Sequence, residues 1–208
     1  LGVLEADRVL QRAAQDPLWK LHLNPGIERL AERVRARLAG SDPTRELLEE
    51  LLADGRWRDL ISLTRVTLAE GEPRRYASLV GHALLAAEEL DVPKVEIARA
   101  AQEAAGAIRG ASAEKAQGRA LLGAFALRQT PAQATEAQAR RTAIYAETLE
   151  RAWGGDPNWA MAPSELIRLY GWAGEAHPEF RDLDHAIALR WLSVQETSLP
   201  ALAALCWL

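Results

Sequence analysis

The densest set of side chains able to do chemistry lies between Glu175 and His185. It reads Glu175-Ala176-His177-Pro178-Glu179-Phe180-Arg181-Asp182-Leu183-Asp184-His185. Two imidazoles and several carboxylates so close together could ligate a divalent metal. Asp182 and His185 stand three apart, which on a helix puts both on one face. Metal-carboxylate bundles use such a pair twice, on different helices; this chain has it once. The same residues also read as an acidic connector, with Asp182 capping the next helix, Asp184 complementing its dipole and the histidines partly exposed. The connector is the expectation, with no metal and no cofactor. His177, Asp182 and His185 remain the ligand set of an alternative, a metal-dependent all-helical enzyme.

Other reactive groups are sparse. His22 and His82 are isolated, and His82, beside Gly81, is kept as a ligand-contact candidate on a helix expected to face a groove. Cys206 is the one cysteine, so an intramolecular disulfide and a thiolate zinc cluster are excluded. No histidine neighbours it in sequence, and an inert thiol is expected. The cytoplasm is the default compartment. Gly-rich phosphate loops, GxSxG and HExxH are missing. Enzymatic activity is therefore left open, with a non-enzyme favoured.

Seven tryptophans is a high number for 208 residues. Trp57, Trp153 and Trp191 fall on apolar helical stripes and read as core. Trp159, in a Gly-Gly-Asp-Pro-Asn loop, and Trp172, off the stripe of Leu166, Leu169 and Tyr170, are the candidates for interface anchors. Packing between helices is the competing reading for both.

These residues must be positioned by helices. Half of the chain is apolar, a quarter is charged, and Ala and Leu dominate the apolar half. The net charge of −4 offers no global attraction to nucleic acid. Arg29, Arg33 and Arg37 share a helix face that could meet phosphates, but it reads as a solvated face balanced by Glu28 and Glu32. No apolar run is long enough to span a membrane, and the tail from Leu199 to Leu208 reads as a docked last helix.

Periodicity and breakers give about eleven helical segments and no credible strand. The stretch from Asp54 to Leu90 is the clearest, with two amphipathic helices joined at Glu70-Gly71-Glu72-Pro73 and Gly55 expected at positive φ. The first should bury Trp57, Leu60, Ile61, Thr64 and Leu68. The second should bury Tyr76, Leu79, Val80, Ala83, Leu84, Ala87 and Leu90. The next helix has a small-residue face of Val95, Ala98, Ala101, Ala105 and Ile108 and is expected to be central. Helices over 113–129 and 132–153 follow. The Leu18–Leu23 alternation reads as an extended linker. One all-α domain spans 1–208, with N-terminal helices over 1–53, helical hairpins over 54–196 and a capping helix over 197–208.

Three helices carry a large apolar residue before a mid-helix glycine: Val80-Gly81, Leu122-Gly123 and Tyr170-Gly171, with the glycines 42 and 48 residues apart. A glycine inside a helix costs about 1 kcal/mol against alanine, so close approach of a partner helix is the expected reason. With Gly55-Arg56-Trp57 as a small-residue turn and Pro73 as a closing proline, the stretch 54–196 resembles the tetratricopeptide-type helical-hairpin repeats. It departs from them in lacking the aromatic three residues after each glycine, where Leu84, Ala126 and Gly174 stand. Its spacing is also longer, nearer HEAT-like periods. The resemblance implies a right-handed superhelix of antiparallel hairpins, or an irregular helical bundle, that binds a peptide or protein.

The expected function is thus a scaffold or adaptor for protein–protein interaction, with self-association left open. Arg119 and Arg168 lie one turn before Gly123 and Gly171 and could hold a carboxylate bidentately on a concave face. A third reading takes the chain, which starts at Leu1, as the ligand-sensing helical domain of a larger regulator.

Overall fold

The computed structural model describes residues 51–194. Among them are seven α-helices and one 3-10 turn, and no strand. The helices are α1 (Trp57–Leu68), α2 (Pro73–Glu89), α3 (Lys94–Ala107), α4 (Ala113–Arg128), α5 (Glu136–Gly155), α6 (Met161–Gly174) and α7 (Leu183–Val194). The all-α class is as the composition implies. The linker at 18–23, the arginine face at 29–37, the first N-terminal helices, His22, Cys206 and the C-terminal tail lie outside the described residues.

Each short connection folds the next helix back onto the last, and α2, α4 and α6 also pack on one another in series. The helix ends are set locally. Gly55 takes φ +68°, while its N–H donates to Leu52 O and that of Arg56 to Leu51 O, the Schellman arrangement. Asp91 ends α2 in the same way at φ 54°, a conformation most side chains avoid. Ser112 and Thr135 cap α4 and α5 by accepting from Lys115 N and Gln138 N. The Thr135 cap explains why α5 starts at Glu136 and not at 132: Gln138 reaches back to Pro131 O and to the Gln133 N–H, holding the preceding residues as a loop.

The central helix is α4 and not α3. It touches α2, α3, α5 and α6. Its second half buries Leu121, Leu122, Ala124, Phe125, Ala126 and Leu127, which cover its whole circumference. Apolar residues all round are what a helix surrounded by others needs. In contrast, α3 buries Ile97, Ala101, Ala104 and Ile108 and leaves Val95 74% exposed. Its buried stripe is rotated from the expected one. In α1 Trp57, Leu60, Thr64 and Leu68 are buried as expected, Leu63 joins them, and Ile61 is half-buried. Leu90 is 55% exposed because it is the residue beyond the last turn of α2.

The three apolar-glycine pairs do not meet equivalent neighbours. A Cβ on Gly81 would strike the Met161 methyl of α6, and one on Gly123 would come 2.7 Å from the Tyr145 ring of α5. One on Gly171 would meet only Asp184 Oδ2, at 3.5 Å. The tightest backbone approach is at a glycine outside these pairs. A Cβ on Gly118 would lie 2.9 Å from the Pro73 carbonyl oxygen, so α4 meets the start of α2 there with no room for a side chain.

Candidate functional site

The residues singled out in the sequence are dispersed. Arg119 donates to the carbonyls of Ile108 and Gly110 at 3.0 and 2.8 Å, closing the end of α3. Arg168 is exposed on α6 and donates to Ser164 Oγ one turn back. Trp159 is buried, its indole N–H donating to Ser78 Oγ at 2.7 Å and its ring lying beneath Arg74. Trp172 is half-buried and donates to Thr130 O at 2.8 Å. His82 is exposed on α2. Partial loss of water, with a further contribution from Arg168, lowers its pKa below the ordinary histidine value. Arg168 and His82 thus share one electrostatic neighbourhood, while Arg119, Trp159 and Trp172 each serve a separate packing contact.

His177, Asp182 and His185 are not brought together. His177 is buried against Phe180, with Nδ1 3.5 Å from Glu179. Asp182 adopts φ 64° ahead of α7, and His185 is exposed with Nδ1 3.1 Å from Asp184 Oδ1. No three His, Cys, Asp or Glu side chains among the described residues converge as a metal site would require.

Two arrangements emerge that the sequence did not reveal. The first is a buried ionic tie across the three serial helices. Glu165 of α6 is fully buried, and its Oε1 accepts from Arg128 Nε of α4 at 2.9 Å. The other edge of the same guanidinium donates to both carboxylate oxygens of Glu88 on α2, at 2.5 and 3.1 Å. Gln129 also donates to Glu88. Glu165 Oε2 finds no partner among the described residues. Burial pushes the Glu165 carboxyl up to about 7, against the opposing pull of Arg128 and Arg168. Burial alone would lower the pKa of Arg128, but its two carboxylates outweigh that and raise it. One guanidinium thus stands between two carboxylates.

The second is an open cleft of about 300 Å³ between α1 and α3, with Tyr76 of α2 at its lining. The two helices touch only lightly. Trp57, Ile61, Ala100 and Ala104 supply its apolar surface. Its charges are Arg58, Arg65 and Arg99 against Glu96 and Glu103. Arg58 bonds Glu96 and lies over the Trp57 ring, and Arg99 lies 4.0 Å from Glu103. Arg65 makes no ion pair or hydrogen bond among the described residues. Tyr76 is fully buried and its hydroxyl has no hydrogen-bond partner among the described residues. Burial raises its pKa to about 12, with the Arg65 charge acting against the rise.

Neither arrangement had a sequence signal strong enough to find it. The tie joins residues about 40 positions apart, and Tyr76 read as an ordinary core residue of α2. The one available hint for the cleft was the i, i+3, i+7 spacing of Arg58, Ile61 and Arg65 on the outer side of α1.

No protein-family model, curated protein or solved structure matches this chain. No helix among the described residues is long and apolar enough to cross a membrane.

Proposed function

We propose that this chain is a non-enzymatic helical scaffold that binds another polypeptide, and that the α1–α3 cleft is where it does so. The observation that carries this reading is the cleft itself: two loosely packed helices, an apolar floor and a polar rim on which Arg65 makes no ion pair among the described residues. Sites of this kind combine apolar walls with a few placed polar groups. The two helices that form it also carry exposed apolar residues, Val66 on α1 at 53% and Val95 on α3 at 74%. The serial packing of α2, α4 and α6, each followed by a helix folded back on it, supports a tetratricopeptide-like array as the supporting frame. A cytoplasmic setting agrees with the single cysteine.

Site-specific photocrosslinking tests the reading. A crosslinker at Ser62, on the rim, should trap one polypeptide stoichiometrically in extract of the native cell, while one at Thr148 on α5 should not. Adducts with small molecules only, or equal polypeptide adducts from both positions, would sink it.

A further inference from the structure

We infer that the Glu88–Arg128–Glu165 cluster is a proton-operated latch on the end of α2. With a proton on Glu165, the Arg128 guanidinium serves Glu88 and keeps the last turn of α2 seated. Loss of that proton to solvent commits the guanidinium to Glu165 and lets Glu88 out into water. The inference does not depend on what the α1–α3 cleft binds.

Three features of the geometry carry it. The first is sharing. Arg128 Nε meets Glu165 Oε1, while its two terminal nitrogens meet the two carboxylate oxygens of Glu88. One positive charge balances one carboxylate and not two. The second is unequal burial. The Glu165 side chain has no exposed surface and its Oε2 has no partner among the described residues, whereas the Glu88 side chain is 26% exposed. An uncompensated carboxylate costs far more inside the protein than in water. Of the two acids, Glu88 is therefore the one that can leave.

The third feature is where Glu88 stands. The last turn of α2 carries Glu88 and Glu89 and no basic residue. Carboxylates at the carbonyl end of a helix oppose its dipole, and a cation there offsets them. Arg128, brought from α4, supplies that cation. Once it is committed to Glu165, only the neutral amide of Gln129 still bonds Glu88.

The charges that act on the Glu165 carboxyl are Arg128 of α4, Arg168 one turn further along α6, and Glu88 of α2. Groups on the other elements packed against α6 are engaged elsewhere. Glu150 of α5 accepts from the Tyr170 hydroxyl, Asp184 of α7 lies beside His185, His177 lies beside Glu179, and Arg190 of α7 lies over the Trp153 ring. Burial holds the Glu165 carboxyl up at about 7, so the latch is closed below that pH and open above it.

The latch acts on the turn into α3. The N–H groups of Leu90, Asp91 and Val92 donate to the carbonyls of Ala86, Glu88 and Ala87, with Asp91 at φ 54°. Val92 and Pro93 then line a shallow hollow with Gly55 and Trp57 of the α1 start and Glu96 of α3. Releasing Glu88 loosens the connection that leads from α2 to α3.

The test follows the full chain by NMR from pH 5 to pH 8. The side-chain carboxyl carbons of Glu165 and Glu88 and the Arg128 Nε–H should move together, with one midpoint. Hydrogen-exchange protection of Leu90, Asp91 and Val92, corrected for the intrinsic pH dependence of exchange, should fall about tenfold or more between the two ends, as expected for two sites coupled through one shared partner. Glu165→Gln, a neutral side chain of the same shape, should keep the turn protected at both ends. Glu88→Gln leaves Arg128 to Glu165 alone and should move the Glu165 midpoint down. Equal protection of the turn at pH 5 and pH 8 in the native chain overturns the latch, as does a fall of the same size in Glu165→Gln. A Glu165 titration that moves the Arg168 side-chain N–H and leaves Glu88 still also overturns it, because Arg168 would then supply the missing charge.

Discussion

Arg128 Nε donates to Glu165 Oε1 at 2.9 Å, and that bond is the only polar contact the buried Glu165 carboxylate makes among the described residues. Because the same guanidinium also holds Glu88, its single positive charge is shared between two carboxylates. Stability should then depend on pH. In the folded chain Glu165 titrates near 7, against 4.5 for an ordinary glutamate. Between these values the folded state holds a proton that the unfolded state has lost. Its contribution is fully present below about 4.5 and is lost as pH rises through about 7, on the order of 3 kcal/mol in all. Urea unfolding at pH 5 and at pH 8 should show this fall in the native sequence and a much flatter profile in Glu165→Gln. An equal slope in both proteins would place the titrating group elsewhere.

Removing the cation should cost more than removing either acid. Arg128→Met leaves Glu88 and the buried Glu165 facing each other without compensation. Breaking a buried ion pair from one side typically costs about 3–5 kcal/mol. The midpoint of chemical denaturation should drop accordingly at pH 8 and recover in part at pH 5, where Glu165 can be neutral. A loss that is the same at both pH values would contradict the charge account.

The Tyr76 hydroxyl gives a prediction in the opposite direction. It is buried without a partner among the described residues, so Tyr76→Phe should hold or raise stability, by up to about 1–3 kcal/mol. Thermal unfolding of the two proteins decides this. A clear loss of stability would show that the hydroxyl is bonded in the folded chain.

Two glycines should respond oppositely to the same change. Gly118→Ala forces a Cβ against the Pro73 carbonyl oxygen, where backbone and not a flexible side chain must move. A cost of about 1–3 kcal/mol is expected for such overpacking. Gly171→Ala meets only ordinary contact distance and should gain up to about 1 kcal/mol from helix propensity. Denaturation midpoints of the two variants test the pair, and a stabilising Gly118→Ala would mean that α4 and α2 can separate freely.

Helix positions were legible from the spacing of Trp57, Leu60, Thr64 and Leu68, and from breakers such as Gly55 and Pro73. Periodicity reports which face of a helix is apolar, and it served wherever one face met the core. It failed for α3 and α4, because the number of neighbours around a helix is a property of the whole packing. An alanine stripe looked central, while the Leu121–Leu127 run that truly is central looked only hydrophobic. Glu165 was legible as an acid near the start of a helix, a place where carboxylates are ordinarily solvated. Its burial depends on Arg128 arriving from 37 residues away, and local pattern carries no such information. Gly118 went unnoticed for the same reason, since the atom that demands it belongs to Pro73.

Helical proteins tend to open locally, with peripheral helices separating before the core does. The Glu88–Arg128–Glu165 tie alters that behaviour, since it spans α2, α4 and α6 together. Opening either outer member exposes the same guanidinium to an unbalanced partner. Amides in these three helices should therefore exchange with solvent deuterium in one common event. Those of α1 and α7, which lie outside the tie, should exchange earlier and independently. The ionic tie makes α2, α4 and α6 open as one body and not as three separable helices.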